Sequence, residues 1–123
     1  MAVIKVTGLA VLAVYVTDLE RAKSFYVDML GFEEAGPMDP GFCLSAGDLT
    51  LYLEPGRKAF DKRVSEYPEA SPCFTTDSVK GAFMKLREAG VKIVSEYLQF
   101  GEEFGMFRIA DPDGNVIEFA GTP

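Results

Sequence analysis

The chain has 123 residues, of which 48% are hydrophobic and 25% are charged. This composition is typical of one globular domain that buries a core, and it excludes a disordered or fibrous chain. Twelve basic and nineteen acidic residues give a formal net charge of −7, and the basic residues are scattered along the chain. Such a surface repels a phosphate backbone and an anionic bilayer, so we expect neither nucleic acid nor membrane as a partner.

The N-terminal stretch that precedes Asp18 is apolar, but it is short and weakly charged. It is too short to span a membrane, and it lacks the pattern of a secretory signal peptide. The sequence therefore predicts a cytoplasmic protein.

The two cysteines, Cys43 and Cys73, each lie in an apolar strand-like run, which predicts small buried thiols. A catalytic thiolate is normally activated by a histidine, and the chain contains no histidine. The sequence thus favours structural cysteines over a cysteine nucleophile.

The first predicted elements are a strand and a helix. Alternating apolar residues predict the strand: Leu12, Val14 and Val16. Asp18 is a good N-cap, and Gly31 can adopt the left-handed conformation that ends a helix. Between them, apolar residues at helical spacing predict an amphipathic helix: Leu19, Ala22, Tyr26 and Met29 or Leu30.

The same pattern recurs in the second half of the chain. A short strand around Phe74 precedes Asp77, and Gly90 follows Asp77 by thirteen positions, the separation that also holds between Asp18 and Gly31. Apolar residues again lie at helical spacing: Val79, Ala82, Phe83, Leu86 and Ala89. Two helices of equal length with the same start and stop signals are therefore predicted.

Three strands are predicted after each helix, at residues 32–35, 42–45 and 49–53 and then at 91–98, 106–110 and 115–120. The chain therefore reads as one α+β domain, residues 1–123, built from two βαβββ modules with a cupped mixed sheet and helices on the outer face. Module one spans about 8–54 and module two about 70–121, with residues 55–69 as the connector.

The most specific motifs are Val-Thr-Asp-Leu at 16–19 with Phe25-Tyr26, Leu-Gly-Phe at 30–32, and Asp-Pro-Asp-Gly-Asn at 111–115 followed by Glu118. In this order and spacing the chain resembles the vicinal oxygen chelate superfamily, which includes glyoxalase I, extradiol dioxygenases and bleomycin-resistance proteins. The resemblance covers nearly the whole chain. It implies paired βαβββ modules, commonly assembled as a homodimer.

The resemblance also implies where metal ligands would lie. In metal-dependent relatives, a histidine stands on the first strand of each module and a glutamate on the last. These positions fall on Val11 and Ala70, near Leu51, and on Glu118. Because only Glu118 carries a metal-binding side chain, we expect neither a metal nor another cofactor, nor metal-dependent lyase or dioxygenase activity.

The face of the cupped sheet opposite the helices would form a groove. Strand alternation directs Glu118 into this groove and places Ile117 and Phe119 against the helices. The full set of predicted ligand-binding residues is Val11, Ala13, Tyr15, Phe42, Leu51, Phe74, Phe107 and Glu118. The facing of Phe42 and Phe107 is ambiguous, and these apolar side chains could instead fill a closed core. An open groove of this composition is typical of a small-molecule site.

The predicted function is metal-independent binding of a small molecule, a drug or a metabolite, that is cationic or aromatic. We expect a homodimer and assign no catalytic residue. Two alternatives stay open: a metal-free enzyme that uses Glu118 or Tyr15 as an acid or base, and a scaffold subunit with a filled groove.

Overall fold

The computed structural model describes residues 2–58 and 70–123. In the first module it contains β1 (Leu12–Tyr15), α1 (Leu19–Ser24), a π-helical segment (Phe25–Met29), β2 (Glu33–Met38), β3 (Gly41–Ala46) and β4 (Leu49–Glu54). In the second module it contains β5 (Cys73–Phe74), α2 (Val79–Glu88), β6 (Lys92–Phe100), β7 (Phe104–Ala110) and β8 (Val116–Gly121). From residue 59 onward, the predicted connector lies outside the described residues.

The described strands form two four-stranded sheets, ordered β1-β4-β3-β2 and β5-β8-β7-β6. In each sheet the first strand pairs in parallel with the last, and the other pairings are antiparallel. This topology confirms the predicted α+β fold of two βαβββ modules. In the described part of the chain, no helix combines the length and the apolar composition that a membrane crossing requires.

The first helix begins at Asp18, as the sequence predicts. Its carboxylate accepts a hydrogen bond from the Arg21 amide at 3.0 Å and so satisfies one free N–H of the first turn. The prediction for the second helix was wrong by one residue, because Ser78 is its N-cap in place of Asp77. The Ser78 hydroxyl accepts from the Gly81 amide at 3.0 Å.

Both helices nevertheless end at the predicted glycines, Gly31 with φ +76° and Gly90 with φ +85°. The first module therefore has one residue more between cap and glycine than the second. The π-helical segment contains this residue, because its turn closes from the Leu30 amide to the Phe25 carbonyl, five positions back. Consequently, each residue in the strand before the first helix matches the residue 60 positions later, in the strand before the second helix. The two glycines, in contrast, are 59 positions apart.

The core lies between the sheets and the helices, and its buried residues come from both modules. The first module contributes Val14, Val16, Ala22, Tyr26, Phe32, Leu44, Leu51 and Leu53. The second contributes Val79, Phe83, Leu86, Phe107, Ile109, Ile117 and Phe119. Because this apolar surface is shared, the two modules stabilise each other. The opposite face of each sheet is left without a helix, and we call it the concave face.

The turn after β7 joins the modules through two buried carboxylates, Asp111 and Asp113. Asp113 Oδ1 accepts from the Thr17 amide at 3.1 Å and from the Thr17 hydroxyl at 2.5 Å. Asp111 Oδ1 accepts from the amides of Asp113 and Asn115, at 2.9 and 2.8 Å. The Asp-Pro-Asp-Gly-Asn motif is thus a turn whose side chains hold the start of the first helix.

Candidate ligand site

The centre of the candidate site is Glu118, which lies in the middle of the second sheet. It pairs with Cys73 on β5 and with Arg108 on β7. Its sequence neighbours Ile117 and Phe119 are buried in the core, so alternation places Glu118 on the concave face, as predicted.

Arg108 lies beside Glu118 and supplies its counter-charge. Arg108 Nη2 is 2.9 Å from Glu118 Oε2, and each of the two side chains is 22% exposed. Arg108 Nη1 also donates to Ser95 Oγ at 3.3 Å. Charge-assisted hydrogen bonds between partly buried groups hold both side chains in place, and they occupy one oxygen of Glu118.

Cys73 is exposed at the edge of this pair and is not a core residue, which corrects the prediction for it. Desolvation of its thiol against the sheet, followed by the hydrogen bond and the charge of Glu118, raises the pKa of Cys73 to about 11. Arg108 opposes this shift. The thiol is therefore protonated at neutral pH, which disfavours a nucleophilic role. Cys43, on the first sheet, is half-buried.

The concave face around the ion pair is apolar. Met106 shares the side of β7 that carries Arg108, and it pairs with Leu98 on β6. Phe104 and Phe100 pair at the end of the same hairpin, and their ring centroids are 6.2 Å apart. Leu98, Phe100 and Phe104 are 55%, 57% and 43% exposed. A contiguous exposed apolar surface of this kind is typical of a ligand groove or an interface.

On the first sheet, the concave face carries Ala13 and Tyr15, as alternation predicted. Ala13 pairs with Tyr52, and Tyr15 is 54% exposed. The Tyr52 hydroxyl accepts from the Gly41 amide at 2.9 Å and donates to the Met38 carbonyl at 3.0 Å. Val11 is half-buried just before β1.

Four predicted site residues face the helices: Phe42, Leu51, Phe74 and Phe107. Leu51 and Phe107 are fully buried, and Phe42 and Phe74 pack against the same core. Phe74 pairs with the buried Phe119, on the side opposite Glu118. Leu51 and Phe74 were each assigned one residue out of register, and a shift of one residue along a strand moves a side chain to the opposite face of the sheet. All four residues therefore belong to the core, which corrects the predicted facing of Leu51 and Phe74 and decides the facing of Phe42 and Phe107, which the sequence left ambiguous.

The offset of 60 residues between the first strands of the two modules also changes which residues stand at the predicted metal-ligand positions. At the offset of 60, the counterpart of Val11 is Ser71 and not Ala70. Ser71 donates from its hydroxyl to the Val116 carbonyl at 2.8 Å. Ala13 pairs with Tyr52 as Cys73 pairs with Glu118, so the counterpart of Glu118 is Tyr52 and not Leu51.

These residues do not fit the divalent metal of the metal-dependent relatives. Valine has no atom that can bind a metal, and the protonated hydroxyls of Ser71 and Tyr52, which donate to backbone carbonyls, are not the imidazole, thiolate or carboxylate ligands that such ions take. The guanidinium of Arg108 stands beside the one carboxylate, where it would repel a cation. In residues 2–58 and 70–123, no group of three His, Cys, Asp or Glu side chains is placed to hold a metal ion.

Arg108 and Ser95 are among the members of the site that the sequence prediction missed. A signal was present, because Arg108 is the one charged residue in the apolar run 106–110. A charge within such a strand indicates either an edge or a partner across the sheet.

Comparisons with known proteins agree with this geometry. Residues 8–119 match the model of the Glyoxalase/Bleomycin resistance protein/Dioxygenase superfamily. The uncharacterized protein YetH of Bacillus subtilis (strain 168) is 31% identical over 118 residues, covering 85% of this chain and 90% of YetH. Glutathione transferase FosA of Serratia marcescens is 27% identical over 109 residues, covering 87% of this chain and 75% of that protein.

Among solved structures, a glyoxalase/bleomycin resistance protein/dioxygenase from Alicyclobacillus acidocaldarius has the same fold. Its TM-score is 0.73 at 25% sequence identity, and the match covers 92% of this chain and 89% of that one. The two-module architecture is therefore shared along nearly the whole length of both chains.

Proposed function

Because the chain belongs to the glyoxalase/bleomycin resistance protein/dioxygenase superfamily, we propose that it binds a small organic molecule on the concave face of the second sheet, without a metal ion. The observation that supports this most directly is the Arg108–Glu118 ion pair beside an exposed apolar surface. Apolar walls with a few fixed polar groups are typical of small-molecule sites.

The ion pair also constrains the ligand. A cationic ligand would have to displace Arg108 from Glu118, at a cost in charge-assisted hydrogen bonds. An aromatic ligand can instead pack on Phe100, Phe104 and Met106 while its polar group bonds to the intact pair. We therefore favour an aromatic molecule with a hydrogen-bonding substituent over a permanent cation.

We further propose that a second copy of the chain covers the concave face. Leu98, Phe100 and Phe104 expose apolar surface there, and so does Tyr15 on the first sheet. Burying this surface in a homodimer would enclose the ligand between two chains. Light scattering at micromolar concentration should give twice the chain mass of 13.5 kDa, and a monomer at high concentration would contradict a homodimer.

The binding proposal can be tested with a thermal-shift screen of aromatic compounds in matched neutral, anionic and cationic forms. Hits should lose affinity in Ala120→Trp, because Ala120 pairs with Met106 and a large side chain there fills the concave face. Ala35→Trp, an exposed position on the edge strand β2, is the control. If Ala120→Trp and Ala35→Trp bind every hit equally well, the ligand does not bind at this face.

The transferase name of the Serratia marcescens relative favours an enzymatic role as the second candidate. Glu118 could act as a base only if Arg108 moved away from it, so we prefer binding without catalysis. Incubation with glutathione and 1-chloro-2,4-dinitrobenzene separates the two ideas. Conjugate formation that is faster than in Glu118→Gln would favour the enzyme.

A further inference from the structure

A cavity lies at the seam between the two sheets, where the end of β1 approaches the starts of β5 and β8. Its volume is about 450 Å³. Apolar walls come from both modules: Leu12, Ala13, Val14, Pro72, Val116 and Ile117. Polar groups lie among them: Tyr15, Arg57, Ser71 and Asn115. We call this cavity the seam cavity.

Arg57 supplies a positive charge to the seam cavity. The segment after β4 is anchored there, because the Arg57 amide donates to the Val16 carbonyl at 3.3 Å. Arg57 Nη1 donates to Asn115 Oδ1 at 2.7 Å. Among the described residues, Arg57 forms no ion pair with a carboxylate. In a chain with a net charge of −7, a half-buried arginine without a described counter-ion is an unusual feature.

Asn115 fixes the direction of this arginine. Its Nδ2 donates to Asp111 Oδ2 at 2.9 Å and to the Tyr15 carbonyl at 3.1 Å. Both amide protons are therefore used, and Oδ1 is left to accept from Arg57. A guanidinium has five N–H donors. Arg57 Nη1 donates to Asn115 Oδ1 and, at 3.5 Å, to the Tyr15 carbonyl, which leaves the donors of Nε and Nη2. The remaining donors are available to a planar anion, which an arginine can bind with two parallel hydrogen bonds.

We propose that the seam cavity binds a small organic carboxylate, with its carboxylate on Arg57 and its apolar body between Leu12 and Pro72. The site is distinct from the Arg108–Glu118 site, since none of Arg108, Glu118 and Met106 lines the seam cavity. Its ligand would contact both modules at once, so binding would stabilise their association.

The test uses 3-phenylpropionate and its neutral amide, 3-phenylpropanamide, as matched probes of the full chain. Titration with 3-phenylpropionate should shift the backbone amide signals of Ala13, Gly114 and Asn115 in nitrogen-proton spectra, whereas the amide probe should not. Arg57→Gln should weaken the carboxylate by about tenfold or more, the loss expected for a charge-assisted hydrogen bond. Arg57→Lys should retain part of the affinity, since the charge remains.

Lys58→Gln is the matched control, because it removes one positive charge from the next, exposed residue. It should leave binding unchanged. Equal weakening in Arg57→Gln and Lys58→Gln would mean general charge attraction and would overturn the proposal. Signal shifts confined to residues around Met106 would also overturn it. A probe concentration of about 10 mM would populate a site of millimolar affinity, so the absence of any shift at that concentration would overturn it as well. Thermal melts of each variant show whether it is folded.

Discussion

The Tyr26 hydroxyl donates a hydrogen bond of 2.8 Å to Asp111 Oδ2, and this bond joins the first helix to the turn of the second module. Tyr26 is fully buried and lies in the π-helical segment. The Asp111 carboxylate also accepts from Asn115 Nδ2 and from two turn amides. The turn therefore holds the Asp111 carboxylate in the position where it accepts from the Tyr26 hydroxyl.

Removing this hydroxyl should destabilise the protein. Tyr26→Phe keeps the ring in the core and should lower the free energy of unfolding by about 1.5–3 kcal/mol, the range for a hydrogen bond to a charged group. Urea denaturation measures the change. Tyr15→Phe, at an exposed ring, is the control and should have little effect. Equal stability of Tyr26→Phe and the wild type would show that the bond between the modules contributes nothing.

The same contact predicts a loss of stability in alkali. Burial first, and then the charge and hydrogen bond of Asp111, raise the pKa of Tyr26 well above 10.0. As the pH rises, Tyr26 therefore ionises in the unfolded state before it does so in the folded state. The stabilisation that its hydrogen bond provides is fully present below pH 10 and declines as the pH rises above it. Above pH 10, the wild type should lose up to about 1.4 kcal/mol more per pH unit than Tyr26→Phe. Parallel curves for the two proteins would contradict this prediction.

The corrected N-cap of the second helix can be tested by two neighbouring substitutions. Ser78→Ala removes the hydroxyl that accepts from Gly81, and it should lower the free energy of unfolding by about 1 kcal/mol. Asp77→Ala should change it by less than about 0.5 kcal/mol, as is usual for a surface position. Thermal or urea unfolding measures both changes. The opposite order would restore Asp77 as the cap.

The thiol of Cys73 should react slowly with iodoacetamide. At a pKa of about 11, only about one thiol in a thousand is ionised at pH 8. Glu118→Gln removes a cause of the raised pKa and should speed alkylation about threefold for each half unit of decrease. Arg108→Gln removes the opposing charge and should slow it. Both rates are measured in a Cys43→Ser background. If the alkylation rate changes in the same direction in both variants, Glu118 and Arg108 do not act on the Cys73 pKa in opposite directions.

Purified protein should contain no stoichiometric zinc, nickel, manganese or iron, because Arg108 lies beside Glu118 and the positions of Val11, Ser71 and Tyr52 carry no imidazole, thiolate or carboxylate. A chelator should therefore leave the melting temperature unchanged. Elemental analysis gives the metal content directly. One tightly bound metal per chain would refute a metal-free site.

The sequence was informative where structure depends on neighbouring residues. Asp18 as a helix cap and Gly31 and Gly90 as helix ends were predicted from local patterns, and the structure confirms them. The facing of Glu118 followed from alternation along its own strand. These features depend on short-range sterics and hydrogen bonds, which a local pattern records.

Only the tertiary structure decided the composition of the site. The extra residue in the π-helical segment shifted the correspondence between the modules by one position, and alternation then placed Phe74 in the core. The partnership of Arg108 with Glu118 depends on the register of two paired strands, and that of Tyr26 with Asp111 joins residues 85 positions apart. Contacts of this range are set by how the sheets pair and the modules pack, and a local sequence pattern contains no record of that packing.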